Sequence, residues 1–275
     1  MKNQLGIYEK AISNRLSWDE KFTLAKESGF DCIELSIDAA PERLGRLYDP
    51  DFARTLKNAL GKTPVHIYTM ALTANRGYPL GSEDPDIRSK AKEIIRRAVP
   101  LAEETGISVI HIAGYDELGE KCNAETKKLF YDSVSEVVRY AEGFAPQLAI
   151  ETMDAEFMGS CTNIRRLCEE IGSEKLRIYA DVGNLAGMGK SVSEELRTGG
   201  NYIAGIHLKD SRPGVMRDVI FGEGIVDFEE ALSCIAQIGY SGPMIAETWS
   251  YDDEAFHPYL KKIASFLRAK MDTVI

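Results

Sequence analysis

Eight short runs rich in Ile, Val, Leu and Ala recur along this chain, each followed by a stretch with helical character, and no low-complexity tract or linker separates them. The pattern predicts strands over residues 4–8, 32–36, 65–70, 108–113, 148–152, 177–181, 203–207 and 244–248. Short apolar runs suit parallel strands, which helices cover on one side and which pack inside the sheet on the other. The stretches between them carry helix punctuation. Ser17-Trp18-Asp19-Glu20 has the capping-box pattern, a serine followed three residues later by a glutamate. Gly29, Gly106, Gly172 and Gly239 stand where helices would end. Asp227-Phe228-Glu229-Glu230 is an acidic start suited to the positive end of a helix. Eight such alternations predict an α/β fold, a single (β/α)8 TIM barrel over residues 1–275, a length close to the roughly 250 typical of such barrels. An open doubly wound sheet is the competing architecture, but no dinucleotide-binding glycine fingerprint follows any strand.

The ends of the later runs carry the chemistry. Leu148-Ala149-Ile150-Glu151, Ile178-Tyr179-Ala180-Asp181, Ile203-Ala204-Gly205-Ile206-His207 and Met244-Ile245-Ala246-Glu247 each close on a side chain able to ligate a divalent metal. The steps between those residues are 30, 26 and 40 positions, close to one strand–helix unit each. In a parallel barrel all the carboxyl ends of the strands meet on one face, where active sites lie. A single carboxylate near a strand end more often caps the next helix; four metal-binding side chains at unit-like spacing point to one shared site. Three carboxylates and an imidazole suit one divalent ion, zinc, manganese, magnesium or cobalt.

Other residues are candidates for the substrate. Asn184, one turn beyond Asp181, could orient a hydroxyl or make a turn. Lys209 and Arg212 follow His207; Lys209 could bind an anionic substrate or simply pair with Asp210. Arg76 sits in a long loop after the third strand, residues 73–82, and is a candidate for a phosphate or a sugar hydroxyl. Glu34, near the end of the second strand, could hydrogen-bond a sugar or join an ion pair inside the barrel. Phe221-Gly222-Glu223-Gly224 reads as a turn before a helix, and Trp249 as a floor for the pocket or as packing. His66, His111 and His257 read as packed or exposed histidines rather than ligands.

Composition narrows the partners. With 43 acidic against 33 basic residues the formal charge is −10, which disfavours nucleic acid. A local arginine or a helix amino-terminus can still hold one phosphate, so a small phosphorylated substrate is compatible. Five cysteines without a Cys-x-x-Cys pair read as reduced thiols of a cytoplasmic protein. No run approaches the ~20 apolar residues of a membrane span, and the first residues lack the apolar core of a signal peptide. Neither a nucleophile elbow nor a phosphate-binding P-loop is present.

These residues, taken together, resemble the L-ribulose-5-phosphate (L-xylulose-5-phosphate) 3-epimerases of the xylose-isomerase-like barrel superfamily. The likeness runs from Leu5-Gly6-Ile7-Tyr8-Glu9-Lys10 to Glu247-Thr248-Trp249-Ser250 and is densest at Glu151-Thr152-Met153-Asp154, Asp181-Val182-Gly183-Asn184 and His207-Leu208-Lys209-Asp210. It departs at Asn75 and Gly77, where the family pattern has a histidine and a second basic residue flanking Arg76. The resemblance implies that Glu151, Asp181, His207 and Glu247 hold a metal, zinc or manganese before magnesium or cobalt. It also implies a ketopentose 5-phosphate substrate, a place in pentose phosphate and L-ascorbate breakdown, and a homodimer. On this reading carbon 3 is epimerised through an enediolate, with Glu151 and Glu247 as acid and base and Asp181 and His207 as ligands alone. The alternatives are a hexulose-6-phosphate or other aldose–ketose isomerase on the same barrel, and a metal- and sugar-binding protein without catalysis.

Overall fold

The computed structural model describes residues 3–274. Its eight strands are β1 (Leu5–Tyr8), β2 (Cys32–Ile37), β3 (Thr69–Leu72), β4 (Val109–Ala113), β5 (Gln147–Glu151), β6 (Leu176–Asp181), β7 (Ile203–Leu208) and β8 (Met244–Ala246). They pair in parallel, each with the next, and β1 closes the ring on β8 with Leu5 opposite Met244. The helices Trp18–Ser28, Phe52–Leu60, Pro85–Thr105, Ala124–Ala141, Cys161–Ile171, Val192–Gly199, Phe228–Gln237 and His257–Val274 follow the successive strands, with short helices Pro41–Leu44 and Val182–Gly187 added. The expected (β/α)8 barrel is the observed one.

The punctuation acts as read. Ser17 and Glu20 close a reciprocal capping box, and Gly29, Gly106 and Gly172 adopt the left-handed conformation that ends their helices. Asp227 caps the helix Phe228–Gln237 through the Glu230 amide. Six strands agree with the reading to within one residue at each end, and the third and eighth differ by more. The third strand begins at Thr69, not at residue 65; Val65 and Ile67 are apolar because they are buried in the main core, and upstream only His66 bridges to Cys32. The eighth ends at Ala246, so Glu247 stands one residue beyond it, although its amide still donates to the Leu208 carbonyl.

Strand side chains alternate between two environments, as a period of two requires. Ile7, Ile33, Leu35, Met70, Ile110, Ile112, Leu148, Ile150, Ile178, Ile206 and Met244 join the one large apolar core with the helices. The alternate set is small, aromatic or charged: Cys32, Glu34, Ala71, His111, Ala149, Glu151, Tyr179, Asp181 and His207, all buried. Gly205 is needed here, because a Cβ at this position would lie 2.1 Å from the Tyr179 ring. Cys32, Cys161, Cys168 and Cys234 are buried free thiols and Cys122 is an exposed one. No helix among the described residues is long and apolar enough to cross a membrane.

Candidate metal centre

Glu151 ends β5, Asp181 ends β6, His207 lies in β7 and Glu247 follows β8, and each offers a ligand atom within 4.8 Å of the other three. The four residues singled out by their spacing thus stand together at the carboxyl face of the barrel. His207 Nδ1 is 3.0 Å from Glu151 Oε1 and 3.8 Å from Glu247 Oε2. Asp181 uses its Oδ1 to accept the amides of Gly183 and Asn184, capping the short helix Val182–Gly187. Its Oδ2 is buried and paired with the Lys209 ammonium, 2.6 Å away. The same ammonium donates to Glu247 Oε2 at 2.6 Å. Three buried carboxylates in one place repel one another unless positive charge joins them. The donor set, carboxylate oxygens with one imidazole, fits a hard or borderline divalent cation.

Behind the ligands lies a supporting layer. His207 Nε2 contacts Glu34 Oε1 at 2.7 Å, so the two ring nitrogens serve different partners. Glu34 also accepts the Tyr179 hydroxyl at 2.6 Å, and His111 stands between Glu34 and Glu151 at 3.4 and 3.5 Å. Burial disfavours the Glu34 anion, yet His207 and His111 outweigh it and hold the carboxyl well below its ordinary value. His111 responds in reverse: burial lowers its pKa, but Glu34 and Glu151 raise it to about 9. Burial is also the largest influence on Asp181 and, with Glu247, pushes it up to about 6 against the pull of Lys209.

Above the ligands opens a cavity of about 670 Å³, lined among others by Tyr8, Lys10, Asp38, Arg43, Arg76, Glu151, Asn184, Lys209, Arg217, Glu247 and Trp249. Of the four ligand candidates only Glu151 and Glu247 reach its wall; Asp181 and His207 are wholly covered. Arg76 and Asn184 line it as well. Arg76 lies over the Tyr115 ring, 5.1 Å from its centroid, and Asn184 Nδ2 donates to the Thr152 carbonyl. Two other expected substrate contacts fall elsewhere. Glu34 is fully buried beneath the ligands, in the interior ion-pair position, because its side chain points into the barrel rather than to the mouth. Arg212 is exposed, off the cavity wall, beside Glu223. Lys209 does not pair with Asp210 either. Asp210 instead accepts the amides of Ser211, Gly222, Gly224 and Val226, which folds the loop after β7 into the turn expected around Phe221–Gly224.

The sequence reading passed over Tyr8, Lys10, Arg43 and Arg217, while His111 is packed as read, though between two carboxylates. Lys10 could have been found by a looser form of the rule that picked the strand-end residues, since it stands two positions beyond the end of β1. Arg217 had a weaker signal, the length of the loop after β7. The loops after β7 and β8 are joined across the mouth: the Tyr251 hydroxyl is 2.9 Å from both carboxylate oxygens of Asp218. Asp218, Tyr251 and Asp252 have φ of 59°, 51° and 63°, a costly conformation for residues with side chains.

The model of the xylose isomerase-like TIM barrel matches residues 22–270. The L-ribulose-5-phosphate 3-epimerase UlaE of Escherichia coli O157:H7 (strain EC4115 / EHEC) is 39% identical over 271 residues, covering 97% of this chain and 94% of that protein. Among solved structures, D-psicose 3-epimerase from Clostridium cellulolyticum H10, crystallised with D-tagatose, superposes with a TM-score of 0.81 at 17% identity, over 98% of this chain and 99% of its own. An L-ribulose 3-epimerase superposes with a TM-score of 0.80 at 16% identity, over 99% and 95%. At such identities the structural likeness establishes the fold.

Proposed function

The chain belongs to the xylose isomerase-like TIM barrel family and, within it, with the L-ribulose-5-phosphate 3-epimerases, and from that premise we propose that it interconverts L-ribulose 5-phosphate and L-xylulose 5-phosphate. Epimerisation at carbon 3 needs a group to remove the proton beside the carbonyl and another to return one to the opposite face. A divalent cation in the site would supply Lewis-acid stabilisation of the charge that builds on the sugar oxygens. Glu151, Asp181, His207 and Glu247 would hold it.

The observation that carries the reading is the division of those four. Glu151 and Glu247 alone line the cavity, and they rise from strands three places apart around the ring, so they can address a sugar from two sides. One takes the carbon 3 proton and leaves an enediolate; the other donates to the opposite face, and the two exchange roles in the reverse direction. Asp181, covered and fixed by two amides, has no access to substrate and serves as a ligand. Asn184 and Arg76, on the wall, orient hydroxyls. Zinc and manganese are the ions this mixed oxygen and imidazole set favours first.

The test is proton exchange in deuterated water with protein loaded with zinc or manganese. Loss of the carbon 3 proton signal, with L-xylulose 5-phosphate formed from L-ribulose 5-phosphate, is expected. Exchange at carbon 1 with an aldose product would replace this reading by an aldose–ketose isomerase. Tight sugar phosphate binding with no exchange at either carbon would leave a binding protein.

A further inference from the structure

We propose that Lys209 is the built-in counter-ion of the metal centre, a cation that competes with the divalent ion for two of its four ligands and so sets how tightly that ion is held. The inference rests on the metal-site reading above. The Lys209 ammonium lies 2.6 Å from Asp181 Oδ2 and 2.6 Å from Glu247 Oε2. Glu247 Oε2 is also the oxygen that stands 3.8 Å from His207 Nδ1, so the ammonium bonds Glu247 on an oxygen turned toward the other ligands. Asp181 has no oxygen to spare. Its Oδ1 accepts the Gly183 and Asn184 amides, and its Oδ2 faces Lys209. A cation reaching Asp181 draws on an oxygen that already serves a donor, and at Oδ2 that donor is itself charged.

The fold fixes the lysine in this position. Lys209 stands one residue beyond β7 and is buried, with the Trp249 indole 5.7 Å from its Nζ. Gly183 makes room for it: a Cβ there would lie 2.7 Å from the Lys209 carbonyl oxygen and 3.0 Å from its Cβ. The short helix that Asp181 caps can therefore press directly on the lysine. Burying a long, flexible cation costs side-chain entropy and hydration. Both of its ion-pair partners among the described residues, the carboxylates that offset this cost, are ligand candidates. The brace on the other side of the site has the opposite sign. Glu34 lends a carboxylate to His207, which strengthens an imidazole as a ligand. Lys209 adds a positive charge among the ligands, and like charges in so small a space oppose each other's binding. Its ammonium keeps the buried carboxylates compensated when no ion is bound and leaves a bound ion exchangeable.

The experiment measures zinc and manganese affinity by chelator competition, and thermal unfolding with and without metal, for wild type, Lys209→Met and Lys209→Gln. Methionine removes the charge and the donor; glutamine removes the charge and keeps a donor. Expected is metal binding about 10- to 100-fold tighter in both variants. The metal-free variants should unfold about 5 °C or more below wild type, and the metal-loaded ones should recover that loss. A lysine that only positions the carboxylates gives the opposite sign, weaker binding in Lys209→Met with Lys209→Gln near wild type, and that result would overturn the proposal. Affinity is read by drawing the ion from loaded protein, so a variant that folds only with metal still gives an answer and supports the counter-ion role. Failure of both variants to fold even with metal would assign Lys209 to the scaffold alone and overturn it. If wild type bound neither ion, the metal-site reading would fall and the competition with it; metal-free variants as stable as wild type would show separately that the ammonium does not hold the carboxylates.

Discussion

His207 Nε2 lies 2.7 Å from Glu34 Oε1, joining β7 to β2 across the barrel, while Nδ1 of the same ring faces Glu151. A histidine that presents one nitrogen to a metal is oriented by what its other nitrogen bonds. Glu34→Gln keeps the shape and removes the charge. Its zinc or manganese affinity, measured by chelator competition, is expected to fall about 10- to 100-fold. Unchanged affinity would mean that ring packing against Tyr179 alone orients His207.

Glu151→Gln and Glu247→Gln separate chemistry from binding when each variant is saturated with metal. A lost general base or acid costs about 100- to 10,000-fold, and that loss is expected in carbon 3 proton exchange for both. A variant exchanging at the wild-type rate with metal bound would remove its glutamate from the proton transfer.

Metal removal should be visible in stability as well as activity. A ligand present at 100 times its dissociation constant adds about 2.7 kcal/mol if it binds only the folded chain. For a chain of this size each kcal/mol shifts Tm by roughly 2–4 °C. Treatment with a chelator is therefore expected to lower Tm by several degrees, reversibly on readdition of metal. An unchanged Tm would argue against tight occupancy.

Glu9 makes the acid limb of stability a local property. Its buried carboxylate bonds Arg46 through both oxygens at 2.7 and 2.8 Å, Lys21 at 2.5 Å and the Ser36 amide at 2.9 Å. Burial raises its pKa, but Arg46 and Lys21 outweigh that and hold it well below the ordinary 4.5. The depressed folded value means the stabilisation is fully present above the unfolded pKa and is lost as pH falls below about 4.3 toward the folded one. Glu9→Gln is expected to cost about 3–5 kcal/mol near neutrality and to flatten the decline of stability between pH 5 and 3, both read by urea unfolding at several pH values. Parallel pH profiles for variant and wild type would show that another carboxylate controls the limb.

Asp210 offers a comparable test for the loop that carries Arg217. Removing a charged acceptor of four amides, the Ser211 bond buried and the others part-buried, leaves donors unsatisfied, at about 1–3 kcal/mol for a buried one. Asp210→Ala should lower stability by about 3 kcal/mol or more and raise KM, as thermal unfolding and steady-state kinetics would show. A KM that stays at wild type would mean the loop does not position substrate.

The clustering of Glu151, Asp181, His207 and Glu247 was legible in the sequence because a parallel barrel turns strand ends into neighbours, so spacing along the chain translates directly into proximity. The Asp210 and Lys209 partners were not. Successive residues in extended backbone point to opposite sides, so adjacent opposite charges need not meet, and these two serve different structures. Glu34 and His111 depend on which strands face one another across the ring and on how far Tyr179 reaches, information that no local window contains. The third strand was displaced because burial of Val65 and Ile67 gives the same apolar signal as pairing. The cations of the mouth come from three separate loops, and only the folded loops gather them.

The contact between Glu34 and His207 spans 173 residues of sequence and joins the first quarter of the chain to the last. The ligand set itself comes from strands five to eight, but its brace comes from strand two. A chain with only its later units assembled would present all four ligands with His207 unsupported. On the metal-site proposal, the brace that orients His207 exists only in the closed ring, so the site is complete only there.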